Sequence, residues 1–232
     1  FGRTTAIVYP DGKKINCSYG RYGNLTETVC GNTYTKLIYD DLGRVIERLY
    51  EDGSRTCYEY NDLGSPVRLT YTKNESLIAE YKYGYDAVGN KTAITVNRDG
   101  KEKNYKYIYD SVGRITGVNL DGKNLREYSY DIFGNRIGKV DYTDSGVITT
   151  TYTYKNGKLF EEFISGYHKP VKREYQYDKR GNLIKKLCNG SIEAEYIYNA
   201  LGQLINIVSG NDKVIYEYDG LGHRTAKIET KG

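Results

Sequence analysis

A six-residue phrase, tyrosine–aspartate–any–any–glycine–arginine, returns every 20 to 25 residues and limits this chain's folding choices more than anything else in it. It reads YDDLGR at Tyr39, Asp40, Gly43 and Arg44, and YDAVGN at Tyr85, Asp86 and Gly89. It reads YDSVGR at Tyr109, Asp110, Gly113 and Arg114, and YDIFGN at Tyr130, Asp131 and Gly134. It returns at Tyr177, Asp178 and Gly181, at Tyr198 and Gly202, and at Tyr218, Asp219 and Gly222. Looser copies begin at Tyr19, Tyr60 and Tyr154. A period of this size marks one small unit that stacks on its neighbours, so function is sought in an extended surface or shell.

Each unit carries two turn signals. In the tyrosine–aspartate phrase the Asp can accept a bond from the backbone N–H two residues on, and Gly supplies the positive φ that closes a four-residue loop. About ten residues later come Asp11-Gly12, Asp52-Gly53, Asp99-Gly100, Asp121-Gly122 and Asn189-Gly190, which favour type I′ hairpin turns. The segments between are rich in Tyr, Thr, Val and Ile. Pairs such as Tyr58/Tyr60 and Tyr107/Tyr109 leave one face of a strand. Three residues after the turn glycine stands a β-branched residue in most units, among them Ile46, Val67, Thr92 and Ile184, expected as a cross-strand partner of the aromatics. No helical periodicity appears. The fold expected is all-β: tandem hairpins in one long antiparallel strip of about twenty strands, residues 1–232 forming a single array of about ten repeats. Open sheets rarely exceed ~10 strands without curling, so such a strip must coil into a spiral or partial shell.

Composition agrees with a thin sheet. The chain has 232 residues, of which 38% are apolar, with 27 Tyr, 4 Phe, no Trp and no Met. Tyrosine brings contact area together with a hydroxyl that needs water or a partner, which suits exposed sheet faces better than a thick aliphatic core. Phe1-Gly2-Arg3 matches the last three positions of the phrase, which leads us to expect a fragment of a longer polypeptide. The 34 basic and 30 acidic residues are interspersed, net +4, unlike the basic stripe of a nucleic-acid binder. No stretch has the length of a membrane span.

The search for reactive chemistry returns little. There is no nucleophile elbow, phosphate loop or zinc-ligand spacing. Cys17, Cys30, Cys57 and Cys188 read as free thiols. His223 takes the arginine slot of a repeat, and His168 lies in a loose turn from Gly166 to Pro170. Each repeat aspartate is a lone carboxylate beside a turn, without the clustered oxygens calcium needs. Arg44 and Arg114 are placed to stack on tyrosine or to bond a neighbouring turn. No catalytic, metal or cofactor-binding residue is assigned. Two readings of the tyrosine face stand side by side: rings stacking on one another to stiffen the sheet, or an exposed stripe that binds glycans or cell wall.

The phrase resembles the tyrosine–aspartate repeat of the Rhs (rearrangement hotspot) proteins, whose relatives include bacterial wall-associated proteins, insecticidal toxin complexes and animal teneurins. The resemblance runs from Phe1 to about Lys227. It implies a strip wound into a hollow shell that, in the bacterial toxins, encloses a C-terminal toxin domain, and that in teneurins serves adhesion at the cell surface. The aspartate–proline self-cleavage motif of the bacterial arrays is missing, since none of Pro10, Pro66 and Pro170 follows an aspartate. The resemblance therefore implies a non-enzymatic shell segment, secreted or on the bacterial surface, whose partners are the rest of its parent polypeptide and the enclosed cargo. The alternative is an adhesion or carbohydrate-binding module. Open edge strands at both ends are expected to favour end-to-end self-association.

Overall fold

A computed structural model describes residues 2–166 and 169–232. Phe1, and Tyr167 and His168 of the loose turn, lie outside the described residues. The described residues hold twenty-one β-strands and no helix. They divide into two units, one ending at Lys123 and the other beginning at Asn124.

The first unit is an antiparallel meander of β1 (Ala6–Val8), β2 (Lys14–Tyr19), β3 (Leu25–Cys30), β4 (Thr33–Tyr39), β5 (Val45–Tyr50), β6 (Ser54–Tyr60), β7 (Pro66–Lys73), β8 (Ser76–Tyr85), β9 (Lys91–Arg98), β10 (Lys101–Tyr109) and β11 (Ile115–Leu120). Each strand pairs with the next in sequence. The second unit repeats the plan with β12 (Lys123–Tyr130), β13 (Arg136–Thr143), β14 (Gly146–Lys155), β15 (Lys158–Ser165), β16 (Val171–Tyr177), β17 (Leu183–Cys188), β18 (Ser191–Tyr198), β19 (Leu204–Ser209), β20 (Asp212–Tyr218) and β21 (Arg224–Thr230). In each unit the tyrosine–aspartate turns share one rim and the second turn signal occupies the other.

The chain has almost no interior. Its accessible surface is 16029 Å² at 26.5 kDa, where a compact monomer of that mass exposes about 10,700 Å². Among the described residues the only buried side chains are the small ones of Thr56, Ala79, Thr150 and Ala194. All four lie on the face that carries the paired tyrosines. The tyrosines themselves are half-buried, while the residues between them, such as Ile108 and Ile197, are exposed.

Two expectations about local geometry need correction. First, the β-branched residue three after the turn glycine is not a ladder partner. Tyr39 pairs with Val45 and Ile38 with Glu47, so Ile46 is the extra residue of a β-bulge. The same offset leaves Val67, Thr92, Ile184 and their counterparts unpaired. A bulge bends its strand and increases local twist, which explains a residue type suited to crowded, extended backbone there. Across from the first tyrosine of each pair stands the residue five after the glycine, as in Tyr58–Leu69, Tyr83–Ile94 and Tyr107–Val118.

Second, the aspartate–glycine turns are of two kinds. Asp99-Gly100, Asp121-Gly122 and Asn189-Gly190 have positive φ at both residues, the type I′ signature. At Asp11-Gly12 and Asp52-Gly53 only the glycine is left-handed. There Gly12 N–H bonds Tyr9 C=O and Gly53 N–H bonds Tyr50 C=O, and the aspartate accepts from the N–H two residues on. These are type I turns closed by a left-handed glycine, and Pro10 presets the φ that the first of them needs.

Candidate functional site

The repeating joint between hairpins is the site that this sequence builds. It starts at the turn. In Asp40–Arg44, Asp40 N–H donates to Arg44 C=O and Gly43 N–H to Asp40 C=O, leaving a three-residue loop rather than four, with Gly43 at φ +77°. Asp40 Oδ1 accepts the N–H groups of Leu42 (3.0 Å) and Arg44 (2.9 Å), and Oδ2 accepts Arg44 Nε at 2.7 Å. One carboxylate thus gathers three donors.

The residue four after the aspartate always supplies something complementary. Arg114 donates to Asp110, and Asn90, Asn135 and Asn182 donate to Asp86, Asp131 and Asp178. His223 Nδ1 sits 3.1 Å from Asp219 Oδ2. Where Asn199 replaces the aspartate, Gln203 turns its carbonyl to accept from the Asn199 amide. In the first copy Gly20 keeps the backbone frame without a carboxylate. In the shortened copy Asn156 and Gly157 are both left-handed, forming a two-residue turn.

These bonds favour the charged carboxylate. Asp40, Asp110 and Asp219 are held below the usual range chiefly by the N–H of the residue four on, and Asp86 and Asp131 chiefly by the asparagine amide. On the other rim Asp52 is pulled down to about 2, first by the Lys73 ammonium 2.9 Å away and then by Ser54.

The lead tyrosine ties one turn to the next. Between β5 and β6 the ladder stops at the Glu47–Cys57 pair, short of the rim. Tyr60 O–H crosses the remaining gap and donates to Val45 C=O at 2.7 Å. The acceptor is the residue two after the previous turn glycine. The same bond runs from Tyr19 to Thr4, Tyr39 to Leu25, Tyr85 to Pro66, Tyr109 to Lys91, Tyr154 to Arg136, Tyr177 to Leu159 and Tyr218 to Leu204, between 2.6 and 3.1 Å. Strand pairs therefore part toward this rim, and a phenol fills each opening and satisfies a carbonyl the ladder leaves free.

A cation covers many of the rings. Arg44 lies 4.7 Å from the Tyr60 ring centroid and also reaches Asn61 C=O in the next turn. Lys91 sits over Tyr83, Arg136 over Tyr128 and Arg224 over Tyr216. Ring-on-ring stacking is rare: Tyr71 and Tyr81 meet edge to face at 6.1 Å, the only such pair among the described residues. The rings do not stiffen the sheet by stacking on one another. They do so through hydroxyl bonds and cations. Sequence reasoning missed this latch, although the fixed distance from each tyrosine back to the preceding glycine was a usable signal.

No three His, Cys, Asp or Glu side chains cluster to hold a metal ion among the described residues. The four cysteines are free, and no helix is long and apolar enough to cross a membrane.

Tandem hairpins latched in this way define a repeat-sheet protein whose recurring chemistry is structural. The family model described as "Teneurin YD-shell" matches residues 2–96 and 72–232, and the chain belongs to this Rhs/YD-repeat family as a shell segment. It is 28% identical over 204 residues to the tRNA3(Ser)-specific nuclease WapA of Bacillus spizizenii, covering 81% of this chain and 8% of that protein. It is 36% identical over 81 residues to the toxin protein Tse5 of Pseudomonas aeruginosa, covering 35% of this chain and 6% of Tse5. The chain thus spans less than a tenth of these relatives. Among solved structures, the Photorhabdus luminescens Tc holotoxin pore matches with a TM-score of 0.70 at 17% identity, over 96% of this chain and 13% of that one. The TcdB2-TccC3-Cdc42 crystal structure matches at 0.52, with 15% identity over 94% and 16%. At such identity these neighbours share the fold.

Proposed function

We propose that this chain is a non-enzymatic wall segment of a larger YD-repeat protein, and that the wall encloses a C-terminal toxin domain of the same polypeptide until release. The observation that carries this reading is the recurrence of the latch: the same hydroxyl-to-carbonyl bond is made by Tyr19, Tyr39, Tyr60, Tyr85 and Tyr109 in the first unit and by Tyr154, Tyr177 and Tyr218 in the second. Its conserved geometry serves continuity of the sheet, and the repeat carboxylates that chemistry would need are committed to their own turns. The toxin and nuclease names of the relatives, and the small share of them that this chain spans, favour a segment working with the rest of a long parent. In this reading residues 1–232 are one array, its partners are the remaining wall and the cargo, and the protein acts outside the bacterial cell or at its surface.

Limited proteolysis of the full-length parent tests enclosure. The C-terminal domain is expected to resist protease inside the parent and to be cut readily when isolated. Equal cutting in both forms would remove the basis for a container.

A further inference from the structure

One place on the tyrosine face departs from the latch pattern. In the first unit a cross-strand row runs Thr56, Tyr71, Ala79 and Arg98 over β6 to β9. Ile78 is an extra, bulged residue in β8, which sets Ala79 at the bottom of the row. Ala79 is 2% exposed and Thr56 is 0% exposed. Together they floor a cavity of about 260 Å³ walled by Tyr50, Tyr71 and Tyr81, with Arg98 at its lip.

Three features point to a ligand. The Thr56 hydroxyl is fully buried and has no hydrogen-bond partner, an arrangement that costs free energy unless something supplies one. The Arg98 guanidinium has no carboxylate within ion-pair distance among the described residues, and its one bond is to Tyr81 Oη at 3.1 Å. Tyr71 and Tyr81 meet at 79° and form a corner that offers π-faces to C–H groups. The volume lies just under the usual 300–1,000 Å³ range of drug-sized sites, which suits one six-membered ring.

The second unit shows the contrast. Ala194 follows another bulge, at Glu193, and faces Lys186 across the ladder. There Lys186 Nζ bonds Glu193 at 2.9 Å, and Arg173 lies 3.7 Å from the same carboxylate. Charge fills that alanine notch from within the chain. In the first unit the notch is lined by rings and a guanidinium with no carboxylate beside it among the described residues.

We propose that the Ala79 notch binds an acidic pyranose, a hexuronate-type sugar residue: its carboxylate meets Arg98, its C–H face lies against Tyr71 and Tyr81, and, as the surrounding rings move apart to admit it, a ring hydroxyl bonds the otherwise covered Thr56. An aromatic acid would satisfy Arg98 and the rings but leave Thr56 unpaired, and a neutral hexose would leave Arg98 unpaired. The test is an NMR titration of the chain, labelled at alanine methyl groups, with methyl β-glucuronide, methyl β-glucoside and benzoate. The glucuronide is expected to shift the Ala79 methyl and to bind more tightly than either control. Arg98→Gln, at an exposed strand end, is expected to weaken it by roughly tenfold or more with an unchanged melting temperature. Thr56→Val, if it folds, should reduce preference for the glucuronide over benzoate. An Ala79 methyl that does not move at saturating glucuronide, unchanged binding in the Arg98→Gln protein, or benzoate binding as tightly as the glucuronide would each overturn the proposal.

Discussion

The two rims of each sheet close their hairpins by different chemistry. On the tyrosine–aspartate rim a side chain does most of the work: one carboxylate collects backbone and side-chain donors, and a phenol from the next hairpin secures the strand beyond the turn. On the opposite rim the backbone does most of it. There Asp99-Gly100, Asp121-Gly122 and Asn189-Gly190 take the left-handed conformation, and strand pairing runs up to the turn, as at Lys101–Arg98 and Cys188–Ser191. A rim that relies on side chains must keep its sequence, whereas a rim that relies on backbone can vary. That is why the phrase repeats on one side only, and why the length differences between repeats gather on the other.

Acid should separate the rims most sharply. The repeat aspartates have folded values below their ordinary one, so their contribution is complete above the unfolded value near ~3.9 and disappears as pH falls through the folded value. Stability to urea is therefore expected to be flat from pH 7 to about 4 and then to fall steeply. Asp52→Asn removes a carboxylate held at about 2 on the other rim. It should leave most of that fall in place; a variant with a flat acid profile would move the titrating groups to the opposite rim.

Single substitutions come next. Asp110→Ala strips acceptors from Val112, Arg114 N–H and Arg114 Nε together and should lower the melting temperature by several degrees. Asp99→Asn keeps a residue tolerant of φ +53° and should change it little. Equal losses at the two positions would erase the distinction between rims. Tyr60→Phe keeps the ring under Arg44 but leaves Val45 C=O without its donor, a loss of about 1 kcal/mol, or ~2–4 °C for a chain of this size. Tyr58→Phe, two residues away on the same face, is the control and should cost less. Similar losses in both would mean that the ring, not the hydroxyl, closes the gap.

How much of this could be read in advance follows the same division. The strands, their order and the positions of both sets of turns were legible because period-two alternation and glycine punctuation are local signals; the turn types were legible only in part. The bulge at Ile46 was not, because β-branched residues favour extended backbone whether paired or bulged. Asp52-Gly53 was misread as type I′ because the dipeptide alone does not state the loop length. The Tyr60 latch was hidden for a different reason: it depends on a ladder ending short of the rim, which is a property of two hairpins together. The Ala79 notch rests on one extra residue in β8, and only the pairing register reveals that.

The smallest expected effect lies at the tips of the tyrosine–aspartate rim. The residue before the turn glycine is apolar and exposed in most copies, Arg180 and Asn156 being exceptions: Leu42 is 76% exposed, Leu63 78%, Val112 71% and Leu221 84%. On propensity alone a turn tip should be polar, so an apolar residue recurring there is not explained by hairpin formation. If these side chains contribute nothing to folding of this chain, Leu42→Ser and Val112→Ser should leave stability within about 0.5 kcal/mol of the parent sequence, as surface changes usually do. Urea denaturation of the two variants checks this. A loss as large as that of Tyr60→Phe would show that the tips pack within the chain and would place a third stabilising element on the side-chain-dependent rim. An unchanged midpoint would confine that rim's stability to the carboxylate and the phenol.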